Sequence, residues 1–131
     1  MKKTGIMNSE LSRIVASMGH TDFIIVCDSG YPIPKGVERI DLSLTQNMPT
    51  VIMTIQEISK ELQVERIQYA LEAEQYCPEI IQKVLELFPT AQSFTTSHEQ
   101  FKEMAKSAAA IIRTGECTPY SNVILCAGVI F

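Results

Sequence analysis

The sequence predicts an α/β protein, a three-layer α/β/α sandwich on a mixed, mostly parallel sheet of about six strands. Three observations predict it. Short apolar runs alternate with helix-length segments whose apolar residues recur every three to four positions. The clearest run, Phe23 to Cys27, carries no polar residue, as expected of a strand covered on both faces. The last two runs are joined by the polar stretch 113–122 with no helix between them, which leaves room for a mixed sheet.

Leu11, Ile14, Val15 and Met18 fall at i, i+3, i+4 and i+7 and predict a helix over residues 8–18. Asn8 or Ser9 caps its start, and Gly19 is expected to close it in the left-handed conformation. After the strand at 23–27, Asp28-Ser29-Gly30-Tyr31-Pro32-Ile33-Pro34 is a turn. Residues 38–44 alternate and read as a second strand. Over residues 50–62, Val51, Ile55, Ile58 and Leu62 share a helical face, and residues 66–72 form the next strand. Pro78 suits a first helical position, with Ile80, Ile81, Val84 and Leu85 facing inward. Residues 92–95 are a weaker strand. Ser97-His98-Glu99-Gln100 matches the S-x-x-Q capping box and opens a helix that buries Phe101, Met104 and Ala105. Residues 109–112 and 123–129 complete the strands.

A chain of 131 residues is one domain, spanning residues 1–131. Its 46% apolar content and mean hydropathy of +0.10 exceed what one small soluble subunit needs, which points to a subunit interface. The run Val123 to Phe131 has no polar tail, so Phe131 is expected in the core or against a neighbouring subunit. Eleven basic residues face fifteen acidic ones without any basic cluster, which argues against nucleic acid. No run approaches the roughly 20 apolar residues of a membrane span. The opening MKKTGIMNSE lacks the apolar core of a signal peptide, so a cytoplasmic location is expected. Cys27, Cys77, Cys117 and Cys126 show no C-x-x-C spacing and read as small hydrophobes.

The chemistry lies elsewhere. The six glycines make no nucleotide-binding pattern, and no metal or hydrolase motif occurs. His20 follows the helix stop at Gly19, where it either answers the helix C-terminus or acts as an acid/base. His98 in a first helical turn is expected neutral, as a surface residue or as a hydrogen-bonding group in a site. Asp28 ends a strand, where α/β proteins bind ligands, and equally suits an Asx turn. The stretch 113–122 is longer and more polar than a hairpin requires. Its Tyr120 and Asn122 offer the apolar edge and the donors and acceptors that a sugar demands.

With these residues the chain resembles the RbsD/FucU sugar mutarotase family. The resemblance is carried by Lys3-Thr4-Gly5-Ile6-Met7-Asn8, Gly19-His20-Thr21-Asp22, Asp28 to Pro34, and Ile40-Asp41-Leu42-Ser43-Leu44. Ser97-His98-Glu99, Arg113-Thr114-Gly115-Glu116 and Thr118-Pro119-Tyr120 complete it along the whole length. The length and the short middle are similar to the ribose branch rather than the L-fucose branch. The resemblance implies a cofactor- and metal-free isomerase of free D-ribose in ribose utilisation. It also implies a cytoplasmic homo-oligomer, commonly a decamer, with sites between subunits. His20 would be the proton donor, and Asp28, His98 and Tyr120-Ser121-Asn122 would contact the sugar. Lys102, one helical turn beyond His98, is added as a possible partner for a sugar hydroxyl. Ser121 and Ser29 stand where many relatives have Ala.

Ring exchange needs only proton movement, which suits a histidine with a carboxylate. Spacing adds a constraint. His20 and Asp28 flank one strand, and eight extended residues span up to about 26 Å, so one subunit is not expected to bring both to one sugar. Three other classes compete: a non-catalytic sugar-binding accessory, a zinc hydrolase built from His20, His98 and Cys117, and a purely structural oligomer. A mutarotase for a related free sugar such as L-fucose is a nearer alternative.

Overall fold

The computed structural model describes residues 1–131. In chain order the elements are α1 (Ser9–Ser17), β1 (Phe23–Cys27), β2 (Arg39–Asp41), α2 (Val51–Ile58), β3 (Val64–Ala70) and α3 (Ala73–Tyr76). α4 (Pro78–Leu87), β4 (Gln92–Thr96), α5 (His98–Ala105), β5 (Ala110–Arg113) and β6 (Val123–Ala127) follow. The strands form one six-stranded sheet in the order β2-β5-β1-β6-β3-β4. β2, β5 and β1 pair in parallel, as do β3 and β4, while β6 is antiparallel to both its neighbours. This is the mixed, mostly parallel sheet that the sequence predicts. The segment between β5 and β6 carries no crossover helix, so β6 returns antiparallel.

Alternation along the central strands divides the core between two faces. Ile24 and Val26 of β1, Ala110 and Ile112 of β5, and Val123 and Leu125 of β6 meet the apolar sides of α1, α2 and α4. Ile25, Cys27, Ile111 and Ile124 face the other way, onto Phe101 and Ala105 of α5. Every one of these strand residues is at most 1% exposed, which explains why the runs read as continuously apolar.

Several expectations change. Gly19 does not close α1: the helix ends at Met18 in an extended conformation, and positive φ falls instead at Thr21 (φ 73°). The Asp22 carboxylate accepts the Gly19 N–H at 2.8 Å, and the Thr21 N–H donates to Ala127 O at 3.0 Å, so sheet contacts set this turn. The second strand is only three residues long, because Asp41 turns back to accept from the Ser43 N–H. The third strand begins at Val64 and ends at Ala70, and a short helix, α3, follows it. Ser97 does cap α5, accepting from the Gln100 N–H at 3.2 Å. The Gln100 side chain, however, accepts from the Thr96 hydroxyl rather than closing the box. Met104 is only partly buried. Phe131 is fully exposed, not in the chain's own core. Cys27, Cys77 and Cys126 are buried, but Cys117 is exposed.

Candidate active site

The loops after β1, β4 and β5 leave the sheet at one edge, the carboxyl end of the parallel strands. There they enclose an open cavity of about 480 Å³ whose lining includes Asp28, Tyr31, His98, Glu116, Tyr120 and Asn122. Four of the sequence-predicted residues, Asp28, His98, Tyr120 and Asn122, therefore share one opening.

Asp28 follows the last residue of β1. Its Oδ1 accepts the Gly30 N–H at 2.9 Å, an Asx-type turn, while its own N–H donates to Asn122 Oδ1 at 2.9 Å. Burial pushes the Asp28 carboxyl above the usual range. Hydrogen bonds from Gly30, Asn122 and Tyr31 oppose the shift, and the nearby Glu116 charge adds to it. Arg113 locks the turn from outside. Its Nε donates to Ser29 O at 3.0 Å, and its Nη1 reaches Asp41 at 2.9 Å and Ser43 Oγ at 2.6 Å.

The 114–122 loop is held by its own side chains. Thr114 Oγ1 donates to Cys27 O at 2.8 Å. The buried Glu116 carboxylate accepts from the Thr118 N–H and hydroxyl at 3.1 and 2.7 Å, and from the Val51 N–H at 3.4 Å. That last contact sets the charge against the start of α2, where the helix dipole favours it. Ser121 is fully buried and donates to Thr118 O at 2.8 Å, so its hydroxyl staples the turn instead of facing the cavity. Tyr120 sits at φ 62°, a conformation that costs a non-glycine residue about 1–2 kcal/mol. Its ring stacks on Tyr76 at 4.9 Å and meets His98 edge-on at 5.2 Å. The strained backbone thus belongs to an aromatic cluster at the cavity wall.

Two other predicted residues lie apart from the cavity lining. Lys102 is half-buried one turn along α5 and does not line the cavity. His20 lies at the opposite end of β1, exposed, with Nε2 2.9 Å from Glu65 Oε2. A bulge between Val64 and Arg66 places Glu65 there. Cys117 lines the cavity with His98, while His20 lies at the other end of β1, so one chain does not bring these three together. No three His, Cys, Asp or Glu side chains group at metal-binding spacing.

Sequence reasoning missed Glu116 and Tyr31 as parts of this wall, and Tyr76 as the ring stacked on Tyr120. Glu116 stood inside the polar stretch and Tyr31 inside the turn, so both were signalled by position. Tyr76 was not, because nothing local says that α3 folds back onto Tyr120.

The arrangement offers an ionisable carboxyl, an imidazole, an amide and an aromatic edge in one polar opening, a set able to bind hydroxyls and move protons. Comparison with known proteins agrees. The D-ribose pyranase of Coprothermobacter proteolyticus is 49% identical over 131 residues, all of both chains. That of Laribacter hongkongensis is 45% identical, again over all of both chains. The structure of Bacillus subtilis RbsD complexed with D-ribose superposes with a TM-score of 0.96 at 45% identity, covering both chains completely. The fucose mutarotase of Streptococcus pneumoniae, at 23% identity, 95% coverage of each chain and a TM-score of 0.78, shares the fold. The model of the RbsD / FucU transport protein family matches residues 1–130, and this chain belongs to that family.

Proposed function

We propose that the chain interconverts the pyranose and furanose forms of free D-ribose by acid/base ring opening and reclosure. The observation that carries this is the cavity itself. Asp28, His98, Tyr120 and Asn122 converge on one opening, in a chain whose full-length relatives at 41–49% identity are D-ribose pyranases. A base removes the anomeric hydroxyl proton as an acid protonates the ring oxygen, giving the open aldehyde. Rotation and attack by another hydroxyl close the second ring. Asp28 and Asn122 orient hydroxyls, Tyr120 packs the sugar edge, and the backbone at Ser121 shapes the wall. Lys102, outside the cavity lining, extends its side chain from α5 to reach a hydroxyl.

His20 is the acid, and a neighbouring subunit supplies it. Its place at the far end of β1 supports a site shared between copies, because the five extended residues of β1 alone span about 17 Å. The exposed Val129, Ile130 and Phe131 follow β6 on that same end and fit a subunit contact. The assembly is a homo-oligomer, a decamer in this reading, and works in the cytoplasm; no helix is long and apolar enough to cross a membrane.

Saturation-transfer NMR on D-ribose tests the reading, with the natural protein and His20→Ala, each with and without chelator. Faster exchange that His20→Ala abolishes and chelator leaves untouched supports it. Ribose binding without faster exchange would instead mark a non-catalytic sugar-binding protein.

A further inference from the structure

Three buried side-chain atoms in this molecule lack a hydrogen-bond partner: Tyr31 Oη, Glu72 Oε2 and His98 Nδ1. An unsatisfied buried polar atom costs about 1–3 kcal/mol, and more when charged, so each calls for a cause. Two of the three are complementary, one a carboxylate oxygen and the other an imidazole nitrogen.

The backbone brings those two residues to the same place. β3 and β4 are parallel neighbours with Ala70 paired to Thr96, and Leu71 N donates to Thr96 O at 2.8 Å. Glu72 and His98 each lie two residues beyond that pair, Glu72 in the turn into α3 and His98 at the start of α5, after strands about 4.8 Å apart. Ile67 and Tyr69 point into the α1/α2/α4 core, so alternation turns Gln68 and Ala70 toward the α5 face, and Glu72 follows in the helical turn that opens α3. α5 begins at His98 and packs against β3. Glu72 also starts the turn of α3 that carries Tyr76, whose ring stacks on Tyr120, which in turn touches His98.

We propose that Glu72 is the positioning residue for His98. Its buried carboxylate oxygen takes the Nδ1–H, through rotation of the side chain or one bridging water, and fixes the tautomer that presents unprotonated Nε2 to the cavity. His98 lines that cavity, and its Nε2 makes no hydrogen bond within the chain. Tyr31 lines the same cavity and packs edge-on against Phe101 at 5.8 Å, but a phenol both donates and accepts and so does not fix the tautomer, as a carboxylate that only accepts does.

The consequence for catalysis rests on the ring-exchange reading above. Nε2 takes the anomeric hydroxyl proton, and that O–H pair becomes the second bond of the aldehyde carbonyl. The bond from the anomeric carbon to the ring oxygen breaks with its electrons on oxygen, which is protonated by His20 of a neighbouring subunit. Reclosure through another hydroxyl returns both protons.

The chain has only two histidines, so the full-length 15N-labelled protein gives two imidazole spin systems, and His20→Ala assigns them. The expected wild-type spectrum shows His98 as the Nδ1–H tautomer, and Glu72→Gln shifts it toward Nε2–H. Glu74→Gln, a nearby carboxylate on α3 that contacts Tyr69 instead, leaves it unchanged. In the exchange assay Glu72→Gln lowers kcat at least about tenfold with KM held within about twofold. An Nε2–H tautomer in the wild type, or an Nδ1–H tautomer indifferent to Glu72→Gln, would overturn the proposal; the first needs no variant to fold. A Glu72-dependent tautomer in a protein that does not speed ribose exchange would uphold the pairing and sink the ring-exchange reading.

Discussion

Asp28 shows how the site is set against stability at the residue scale. Its folded pKa lies above the ordinary value, chiefly through burial, so the folded state holds the proton more tightly than the unfolded state. The associated stability is therefore present at low pH and declines as pH rises through the folded pKa. Asp28→Asn is expected to melt higher than the wild type at neutral pH, with the gap closing below about pH 4, where both forms are uncharged. The same variant loses ring exchange by about 100-fold or more. Melting curves across pH, with the exchange assay alongside, check both. Ser121 makes the opposite prediction. Because its hydroxyl staples Thr118 and does not enter the cavity, Ser121→Ala costs about 1 kcal/mol of stability yet leaves the KM for ribose within about twofold. A sharp rise in KM with unchanged melting would show the hydroxyl to be a specificity element instead.

The loops form one knitted unit at the scale of elements. Asn47 N donates to Gly115 O at 2.6 Å, Gly115 N to Pro49 O at 2.8 Å, and Cys117 N to Asn47 Oδ1 at 3.0 Å. A methyl group at Gly115 would sit 2.6 and 2.7 Å from Met48 O and N, and backbone cannot yield as a side-chain tip can. Gly115→Ala is expected to cost about 2–4 kcal/mol in urea denaturation and to displace Glu116 from the start of α2, with loss of exchange. This pairing of segments some 70 residues apart was not legible in the sequence. The strands and most helices were, since each is declared by local period. The positive φ expected at Gly19 moved to Thr21 because hydrogen bonds to Asp22 and Ala127, not the local residue type, decide that turn.

The proposed sharing of the site between subunits gives a prediction at the scale of the whole molecule that a self-contained site does not. His20→Ala and Asp28→Asn proteins should each be inactive alone. Mixed and reassembled in equal amounts, they should recover about a quarter of wild-type exchange, since half the pockets keep Asp28 and half of their neighbours keep His20. No recovery in assemblies shown to be mixed would place both residues in one subunit's site. The exposed Val129, Ile130 and Phe131 belong to the same end as His20, linked through the Thr21 N–H bond to Ala127 O. A contact that delivers His20 to a neighbour therefore also covers apolar surface that one chain leaves in water.

By itself the sequence determined the α/β class, the order of the elements and four residues of the cavity wall. Hydrophobic period and turn chemistry are local, and functional groups at strand ends stand out against apolar runs. Only the tertiary structure decided that Tyr76 backs Tyr120 and that Glu116 braces the loop against α2. Each of these is a distance between segments remote in sequence or on neighbouring strands, and such distances follow from strand order and register, which no local pattern encodes.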